Sequence, residues 1–437
     1  MLDSAGPRLP ITQARMAEAV TSEDGARRSK ILVLATYLTR EQAGAAHSML
    51  TIIEALARAE WADVTVAAFT WDESLIPANV RLVRLPEAKW PSPFWRLFPL
   101  PDYWHAVRVL GTLPLAQFDL CYTQNMPLGL AFRRHQAGTP VASHPGAILW
   151  EREVLDEDDS PMRWRRVSAR FARWLEGRTH RQKNWHNLAS SSLVAKIRAR
   201  SFSIDEALFE VAPLPVDPVR FDPARVTRNV RAELGLGPGD FVAIVVARLL
   251  RWKRVDAAIR AIAAQPRPAV LLVVGDGPER GNLEALAMDL GIEDRVRFVG
   301  HQDPPPYLAA ANLFVLPSLI ESFGLAYIEA MMMGLPCIGL RYKPPEVLSA
   351  ASEVIRDGEF GFCVSGDDEL ARCIETLSAD PDHCRALGAR AREVALCRYT
   401  PDRYIERLRD IAVANGHRPR ARARSRPEPA HETIGRE

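Results

Sequence analysis

An α/β architecture of two doubly wound, parallel-sheet domains is the fold class this sequence predicts, on three observations. The chain has 437 residues, enough for two ordinary domains. Apolar strand-like runs alternate with helix-like segments twice, once from Ile31 and again from Phe241, as parallel sheets with crossover helices require. A strand, loop, helix, strand unit ending in Pro317 to Gly339 carries a glycine where its helix begins.

In the first series, Ile31 to Thr36 is a continuous apolar run and reads as a strand buried on both faces. A loop with Ala43-Gly44-Ala45 follows, then an amphipathic helix from Ala46 to Ala57. Val64 to Phe69, Val80 to Leu85, Phe118 to Thr123 and Thr139 to Ser143 are further strands, the last running into His144-Pro145-Gly146. Trp90 to Trp104 is rich in aromatics and prolines, and the prolines prevent a long helix. Its aromatics beside Lys89 and Arg96 suit a membrane interface or a lipid-linked acceptor; they suit equally a loop packed on its own domain. Asp156-Glu157-Asp158-Asp159 contains an Asp-x-Asp, but the run looks solvated rather than metal-binding. Arg163 to His186 interleaves cations with Trp164, Phe171, Trp174 and Trp185 and reads as a basic helix, either a solvated face or a peripheral membrane face.

In the second series, Val242 to Ala247 is a strand that delivers Arg248 and then Lys253, ahead of a helix from Val255 to Ala263. Two cations just past the carboxyl end of a strand in an open sheet are placed to clamp a diphosphate; two surface cations are the plain alternative. Ala269 to Val274 runs into Gly275-Asp276-Gly277-Pro278-Glu279-Arg280, which fails the GxGxxG pattern at Arg280 and reads as a tight turn. Val296 to Val299 leads into Gly300, His301 and Gln302. Asp368 to Leu377, Pro381 to Cys397 and Tyr399 to Ala412 are the last helices, and His417 to Glu437 is Arg- and Pro-rich and expected to be disordered.

Composition narrows the function classes. Lys and Arg total 56 against 54 Asp and Glu, a net charge of +2, so no nucleic-acid partner is expected. Six cysteines show no CxxC pairing, which fits neither a zinc site nor a disulfide scaffold and suits a reducing cytoplasm. No run of about 18 apolar residues exists to span a membrane. Met1 to Lys30 has no signal-peptide apolar region and reads as a loose leader. No Ser-His-Asp elbow, P-loop or HExxH pattern is present.

The stretch from Pro317 to Gly339 carries the chemistry. An apolar strand, Leu313 to Leu316, enters a loop with Glu321, Ser322, Phe323 and Gly324. Good helix formers from Leu325 to Met333 follow, then Gly334 and Pro336 as stop signals and a strand from Pro336 to Leu340. Free N–H groups at the helix start attract an anion, and a glycine there lets a phosphate approach. Glu321 precedes the helix and Glu329 lies inside it, roughly 10 Å apart along the backbone at 1.5 Å per residue. That is wide for a retaining glycosidase pair, which needs about 5 Å. It suits grasping two parts of one hydroxyl-rich ligand whose phosphates lie between; a solvated Glu321 and a structural Glu329 are the plain alternative.

The order Pro-Ser, Glu-Ser-Phe-Gly-Leu, Glu-Ala-Met, Gly-Leu-Pro resembles the Glu-x7-Glu motif of retaining glycosyltransferases of family 4, the glycosyl transferases group 1 with the GT-B fold. The resemblance covers most of the chain. Leu188 to Val194 fits the family's strand-to-helix step and Phe209 to Pro223 its interdomain link. The resemblance implies two Rossmann-like domains facing a central cleft: a flexible leader at 1–29, an acceptor-binding domain at 30–215, a nucleotide-sugar-binding domain at 216–398, a helix crossing back at 399–414 and a tail at 415–437. It implies a hexosyltransferase that moves a sugar from a UDP- or GDP-linked donor to an acceptor hydroxyl, in glycan, polysaccharide or glycolipid biosynthesis. No metal or other cofactor is implied. The acceptor would be a saccharide or lipid-linked, and the setting cytoplasmic, with peripheral contact at the inner membrane face.

By the same resemblance, Glu329 binds the ribose hydroxyls and Glu321 lies by the donor sugar. The backbone at Phe323, Gly324 and Leu325 faces phosphate and sugar, and Arg248 and Lys253 stabilise the leaving diphosphate. His144 faces donor sugar and acceptor, Gly44 lies close to the donor phosphates, and Gly300 and His301 lie near the base. The chain departs from the family pattern at Ala43-Gly44-Ala45, where two glycines are usual, at Leu214-Pro215, and between Arg341 and Ser352, which is longer than the usual Gly-Gly turn. Two other functions stay open at this level: a sugar-nucleotide epimerase or phosphorylase on the same fold, and a non-catalytic membrane-associated scaffold.

Overall fold

A computed structural model describes residues 27–39, 45–86, 100–145, 174 and 176–416. The first series builds a seven-stranded sheet from β1 (Ser29–Leu38), β2 (Ala62–Trp71), β3 (Arg81–Arg84), β4 (Leu120–Thr123), β5 (Val141–Ser143), β6 (Trp185–Ala189) and β7 (Phe209–Val211), in the order β3-β2-β1-β4-β5-β6-β7. Every pairing is parallel, with Ile31 opposite Val64 on one side and Leu120 on the other. Continuous apolar runs become the central strands because helices cover both faces; Ile31 to Leu34 are almost fully buried.

The second sheet comprises β8 (Phe241–Val246), β9 (Ala269–Val274), β10 (Val296–Gly300), β11 (Leu313–Leu316), β13 (Cys337–Leu340) and β15 (Gly361–Val364), in the order β10-β9-β8-β11-β13-β15. It too is parallel throughout. In both sheets the strand order reverses beside the first strand, between β1 and β4 and between β8 and β11. Such a reversal opens a crevice at the strands' carboxyl ends, where ligands bind in this class of sheet. A small extra ladder, β12 (Ile320–Glu321) with β14 (Leu348–Ser349), joins the motif loop to the insertion before Ser352. The sequence reading did not anticipate it.

Three boundaries differ from the sequence reading. Arg27 and Arg28 precede a strand that starts at Ser29, and they are already held: Arg28 Nε donates to Glu60 O at 2.6 Å and Ser29 N to Trp61 O at 2.7 Å. The basic helix read through His186 ends sooner, with residues 176–180 helical and Trp185 and His186 in β6, because the sheet needs a strand beside β5. The last helix runs Pro401–Gly416; Pro401 occupies its first position, where a missing N–H costs nothing. The helix Leu100–Leu110 begins inside the aromatic stretch, with Pro101 in its first turn. Residues 87–99, the acidic run Asp156 to Asp159 and the tail from His417 lie outside the described residues.

The two lobes share one apolar cluster, which runs from Ile53 and Leu56 through Leu214, Val216, Ile405 and Leu408 into the second sheet. The helix Pro401–Gly416 packs back on the first-lobe helix Ala45–Arg58. A polar clasp works beside this seam. Ser191 caps the helix Ser192–Phe202 by accepting from Val194 N at 3.1 Å, and its hydroxyl donates to Ser322 O at 2.6 Å. The Glu353 carboxylate, from the second lobe, accepts from Ser192 N at 2.7 Å and Leu193 N at 2.8 Å. A carboxylate on free N–H groups at a helix start is favoured by both hydrogen bonding and the helix dipole. Glu353→Ala is therefore expected to cost about 1 kcal/mol of stability, the usual loss of a helix cap, read as a lower urea midpoint; an unchanged midpoint would show that the clasp is not formed in solution.

Candidate active site

The crevice of the second sheet is built from two loops. β8 and β11 pair directly, Leu313 opposite Ala243 and Phe314 opposite Ile244, so the loops that follow them emerge side by side. They are then tied together: Leu319 N donates to Trp252 O at 2.8 Å, while the Ser318 hydroxyl donates to Ile320 O at 2.8 Å within the second loop. Behind them the turn after β9 closes tightly. Gly275 has φ +135°, and a Cβ there would sit 1.9 Å from Ala247 O, so only glycine lets this turn press on the Arg248 loop. Leu249 N donates to Asp276 O at 2.9 Å across the same contact. The Gly275-Asp276-Gly277 turn thus supports the loop from behind.

Within this frame Lys253 Nζ donates to Glu321 Oε2 at 2.6 Å, both side chains mostly shielded from water. The first cation loop and the acidic motif loop therefore meet in one charge-assisted hydrogen bond, a contact generally worth about 1.5–3 kcal/mol. The structure thus couples two residues that the sequence reading assigned to separate parts of the ligand. Arg254, next to Lys253, takes a left-handed φ of 52° and ion-pairs with Asp367 at 2.8 Å, anchoring the turn into the helix Val255–Ala263. Arg248 is exposed at the mouth of the loop, and among the described residues its side chain has no hydrogen-bond or ion-pair partner.

Gly324 begins the helix Leu325–Met332 with φ +84° and no side-chain cap. A Cβ at this position would fall 2.4 Å from the Tyr327 ring, which is pinned by its hydroxyl donating to Leu316 O at 2.5 Å. The helix start is thereby left with free N–H groups and a bare backbone, as an anion site needs. Phe323 is buried and packs edge-on against Tyr399, ring centroids 5.9 Å apart. Leu325 is the first residue of the helix and half-buried.

Glu329 faces a second charged group that the sequence did not signal. It is partly exposed, and among the described residues its carboxylate has no hydrogen-bond or ion-pair partner. Burial pushes its pKa up to about 7, against the pull of Arg220 and with a push from Asp303. Arg220, from the interdomain link, ion-pairs with Asp303 at 2.7 Å. A carboxyl whose folded value lies above its ordinary value loses stability for the fold as pH rises through that window. Gly300 ends β10 with φ +72°, and Gly275 N donates to its carbonyl at 2.7 Å; His301 follows, exposed. His47, on the first-lobe helix, has its pKa lowered by burial and then by Arg220, with further influence from Asp303 and His301, which places the two lobes' groups around one region.

Among the described residues His144 shares no hydrogen bond with the Lys253–Glu321 pair. It is buried at the end of β5, with Nδ1 2.7 Å from the Tyr404 hydroxyl. Burial, then the nearby Arg198, push its pKa down to about 3, so its ring is neutral at physiological pH. It joins the second lobe through the crossing helix: Tyr404 belongs to that helix, and Tyr399 just before it holds Phe323. A cavity of about 750 Å³ lies on this hinge side, lined by Ser190, Phe323, Glu353, Tyr399, Arg403 and Tyr404, and does not include Lys253 or Glu329. Gly44 lies outside the described residues.

Residues 226–394 match the family model described as glycosyl transferases group 1, which takes in Arg248, Lys253, Glu321 and Glu329. N-acetyl-alpha-D-glucosaminyl L-malate synthase of Bacillus anthracis is 35% identical over 189 residues, 42% of this chain and 48% of that protein. The lipopolysaccharide core biosynthesis glycosyltransferase LpsE of Rhizobium meliloti is 35% identical over 191 residues, 42% of this chain and 54% of that protein. The chain spans about half the length of the curated relatives it matches. Among solved structures, Anabaena HepE in complex with UDP and glucose superposes with a TM-score of 0.67 at 21% identity, over 89% of this chain and 100% of that one. Sucrose-phosphate synthase from Thermosynechococcus elongatus gives a TM-score of 0.69 at 22% identity, over 89% of this chain and 100% of that one. Sequence and architecture agree: the molecule has the GT-B fold, and residues 226–394 within it match the glycosyl transferases group 1 model.

Proposed function

We propose that the chain transfers a hexose from a UDP- or GDP-linked donor to an acceptor hydroxyl, with retention of anomeric configuration, in glycan, polysaccharide or glycolipid biosynthesis. The observation that carries this reading is the meeting of Lys253 and Glu321 beside the bare helix start at Gly324, with the unpartnered Glu329 deeper on the same helix. A pyrophosphate at the helix start takes up Lys253 and Arg248, which offset the charge that develops on the leaving diphosphate. Lys253 then exchanges its contact with Glu321 for phosphate, and Glu321 is left to hold the sugar. Glu329 accepts hydrogen bonds from the ribose hydroxyls, and Gly300 and His301 border the base. The acceptor hydroxyl attacks from the face that the diphosphate leaves, and a departing phosphate oxygen takes its proton. HepE was solved with UDP and glucose, and a mycobacterial relative is named as GDP-mannose-dependent, so both nucleotides stand in the donor screen.

The acceptor is a saccharide or a lipid-linked saccharide held by the first lobe, in a cytoplasmic setting with peripheral contact at the inner membrane face. Exposed Trp104 with Arg134 5.7 Å from its ring centroid, and exposed Trp174 with Arg178 at 5.9 Å, support that contact. Among the described residues no helix is long and apolar enough to cross a membrane.

A melting screen with UDP-, GDP- and ADP-sugars identifies the donor as the nucleotide that raises Tm, and product analysis then shows free nucleotide diphosphate and a glycoside of the donor's configuration. Release of a sugar phosphate or an epimerised nucleotide sugar would replace the transfer reading. Lys253→Ala and Arg248→Ala are each expected to lower kcat by about two orders of magnitude with the fold intact, and wild-type rates in both would remove the diphosphate clamp. Nucleotide affinity should rise about tenfold between pH 6 and 8, because hydroxyl donors favour the ionised form of a carboxyl with a pKa of about 7. Glu329→Gln should flatten that profile in calorimetry, and an unchanged slope would remove the ribose contact. Transfer is expected to persist in EDTA; loss of rate restored by a divalent cation would add a metal to the mechanism.

A further inference from the structure

The insertion between Arg341 and Ser352 leaves the second sheet at the same end as the motif loop. β13 pairs with β11 in parallel, Phe314 opposite Cys337 and Leu316 opposite Gly339. The chain that follows Leu340 therefore emerges at the strands' carboxyl ends, where the crevice opens. Backbone hydrogen bonds then lace three loops into one strip. Leu319 N donates to Trp252 O at 2.8 Å, Leu348 N to Leu319 O at 2.7 Å and Ala350 N to Glu321 O at 2.8 Å.

The insertion has an anchored limb and an exposed one. Val347 to Ala350 are buried or half-buried, and β14 within them pairs with β12. Arg341 to Glu346 are all exposed, yet this limb is held at both ends. Arg341 N donates to Val364 O at 2.8 Å, and the Arg341 side chain donates to Asp357 at 2.8 Å. Lys343 and Val347 exchange backbone hydrogen bonds of 3.1 and 2.8 Å. Tyr342 stands between these anchors and is 40% exposed. Among the described residues it is the only Phe, Tyr or Trp of the second lobe that the fold leaves exposed. A flat ring on a fixed backbone loses little freedom when it meets a ligand.

The strand order serves as a ruler. Along β10-β9-β8-β11-β13, Gly300 and His301 lie at the end of β10, Arg248 and Lys253 follow β8, Glu321 follows β11 and Tyr342 follows β13. The transfer reading sets base, diphosphate and sugar along that line. One strand spacing further, about 5 Å, is the place of the group that receives the sugar. We infer that the insertion is a second-lobe wall of the acceptor site, and that Tyr342 is a specificity-determining residue that stacks on a saccharide ring of the acceptor. The inference rests on the transfer reading; the rest of the acceptor lies on the first lobe. A sugar ring presents C–H groups on one face, which suit the tyrosine ring, and hydroxyls at its rim, which suit the phenol hydroxyl. Because Ala350 N holds Glu321 O, the insertion carries the platform and braces the sugar-side loop as one piece.

The test is fluorine NMR on the full chain labelled with fluorotyrosine, with Tyr342 assigned by the signal lost in Tyr342→Phe. The probes are UDP and GDP alone, then the methyl glycosides of glucose, galactose, mannose and N-acetylglucosamine, each with and without nucleotide. The expected result is a Tyr342 shift with at least one glycoside and none with nucleotide alone. A shift with nucleotide alone, or no shift with any glycoside, overturns the proposal. For a glycoside that accepts sugar, Tyr342→Ala should raise its KM about tenfold while the donor KM stays within about twofold, and Tyr342→Phe should restore the acceptor KM. No rise, or an equal rise in both KM values, overturns it. The transfer reading fails separately, by a melting screen without response or by the lack of a glycoside product, whereas the spectra with glycoside alone need no donor.

Discussion

The direct pairing of β8 with β11 is the constraint on which the proposed chemistry depends. These strands are neighbours in space, yet their functional loops meet across 68 residues of chain at Lys253 and Glu321. Because both strands point the same way, their carboxyl ends open on one crevice, and Lys253 and Glu321 are delivered to the same point. The surrounding features serve to hold that geometry. Gly275 lets a third loop press from behind, Arg254 accepts a left-handed conformation to turn the chain into its helix, and Tyr327 closes the underside of the Gly324 turn. Substituting any of these would move the loops before it touched a ligand.

The resting state satisfies its charges internally. Lys253 and Glu321 neutralise one another, while Arg220 pairs with Asp303 close to Glu329. An incoming anion must displace the first pair, so part of its binding energy goes into reorganising the site. That arrangement keeps a deep cation from standing unpaired, which would be costly in a shielded crevice. Glu329 is treated differently: burial raises its pKa to about 7, so at neutral pH only part of the population carries the charge.

The two lobes are joined by more than a linker. The crossing helix, the shared apolar cluster and the Glu353 clasp on the helix Ser192–Phe202 all span the seam. Ser322 is held by Ser191 from the other lobe, one residue from Glu321, so closure of the lobes and the position of the acidic loop are coupled. His144 is coupled to the same seam through Tyr404. A first-lobe strand end and a second-lobe motif thus answer to one set of interdomain contacts.

Much of the fold was legible in the residues themselves. Continuous apolar runs at Ile31 and Val242 announced buried parallel strands, and Gly324, Gly334 and Pro336 bracketed the motif helix, because local chemistry and burial on both faces leave few alternatives. Arg248, Lys253, Glu321 and Glu329 stood out as candidates through the motif's resemblance to group 1 glycosyltransferases, since their types and spacing alone suit surface or structural roles as well. What the sequence could not hold was distance between segments far apart in the chain. The Lys253–Glu321 contact, the Arg220–Asp303 pair beside Glu329, the clasp of Glu353 and the Tyr404 hydroxyl on His144 each join residues from separate elements, and no local pattern marks them. Trp185 and His186 were misjudged for the same reason: their local composition suits a basic helix, yet a place beside β5 in the sheet outweighs that preference. Local propensity thus settled most of the elements, while strand order and interdomain packing decided which side chains meet and, at Trp185 and His186, which element forms.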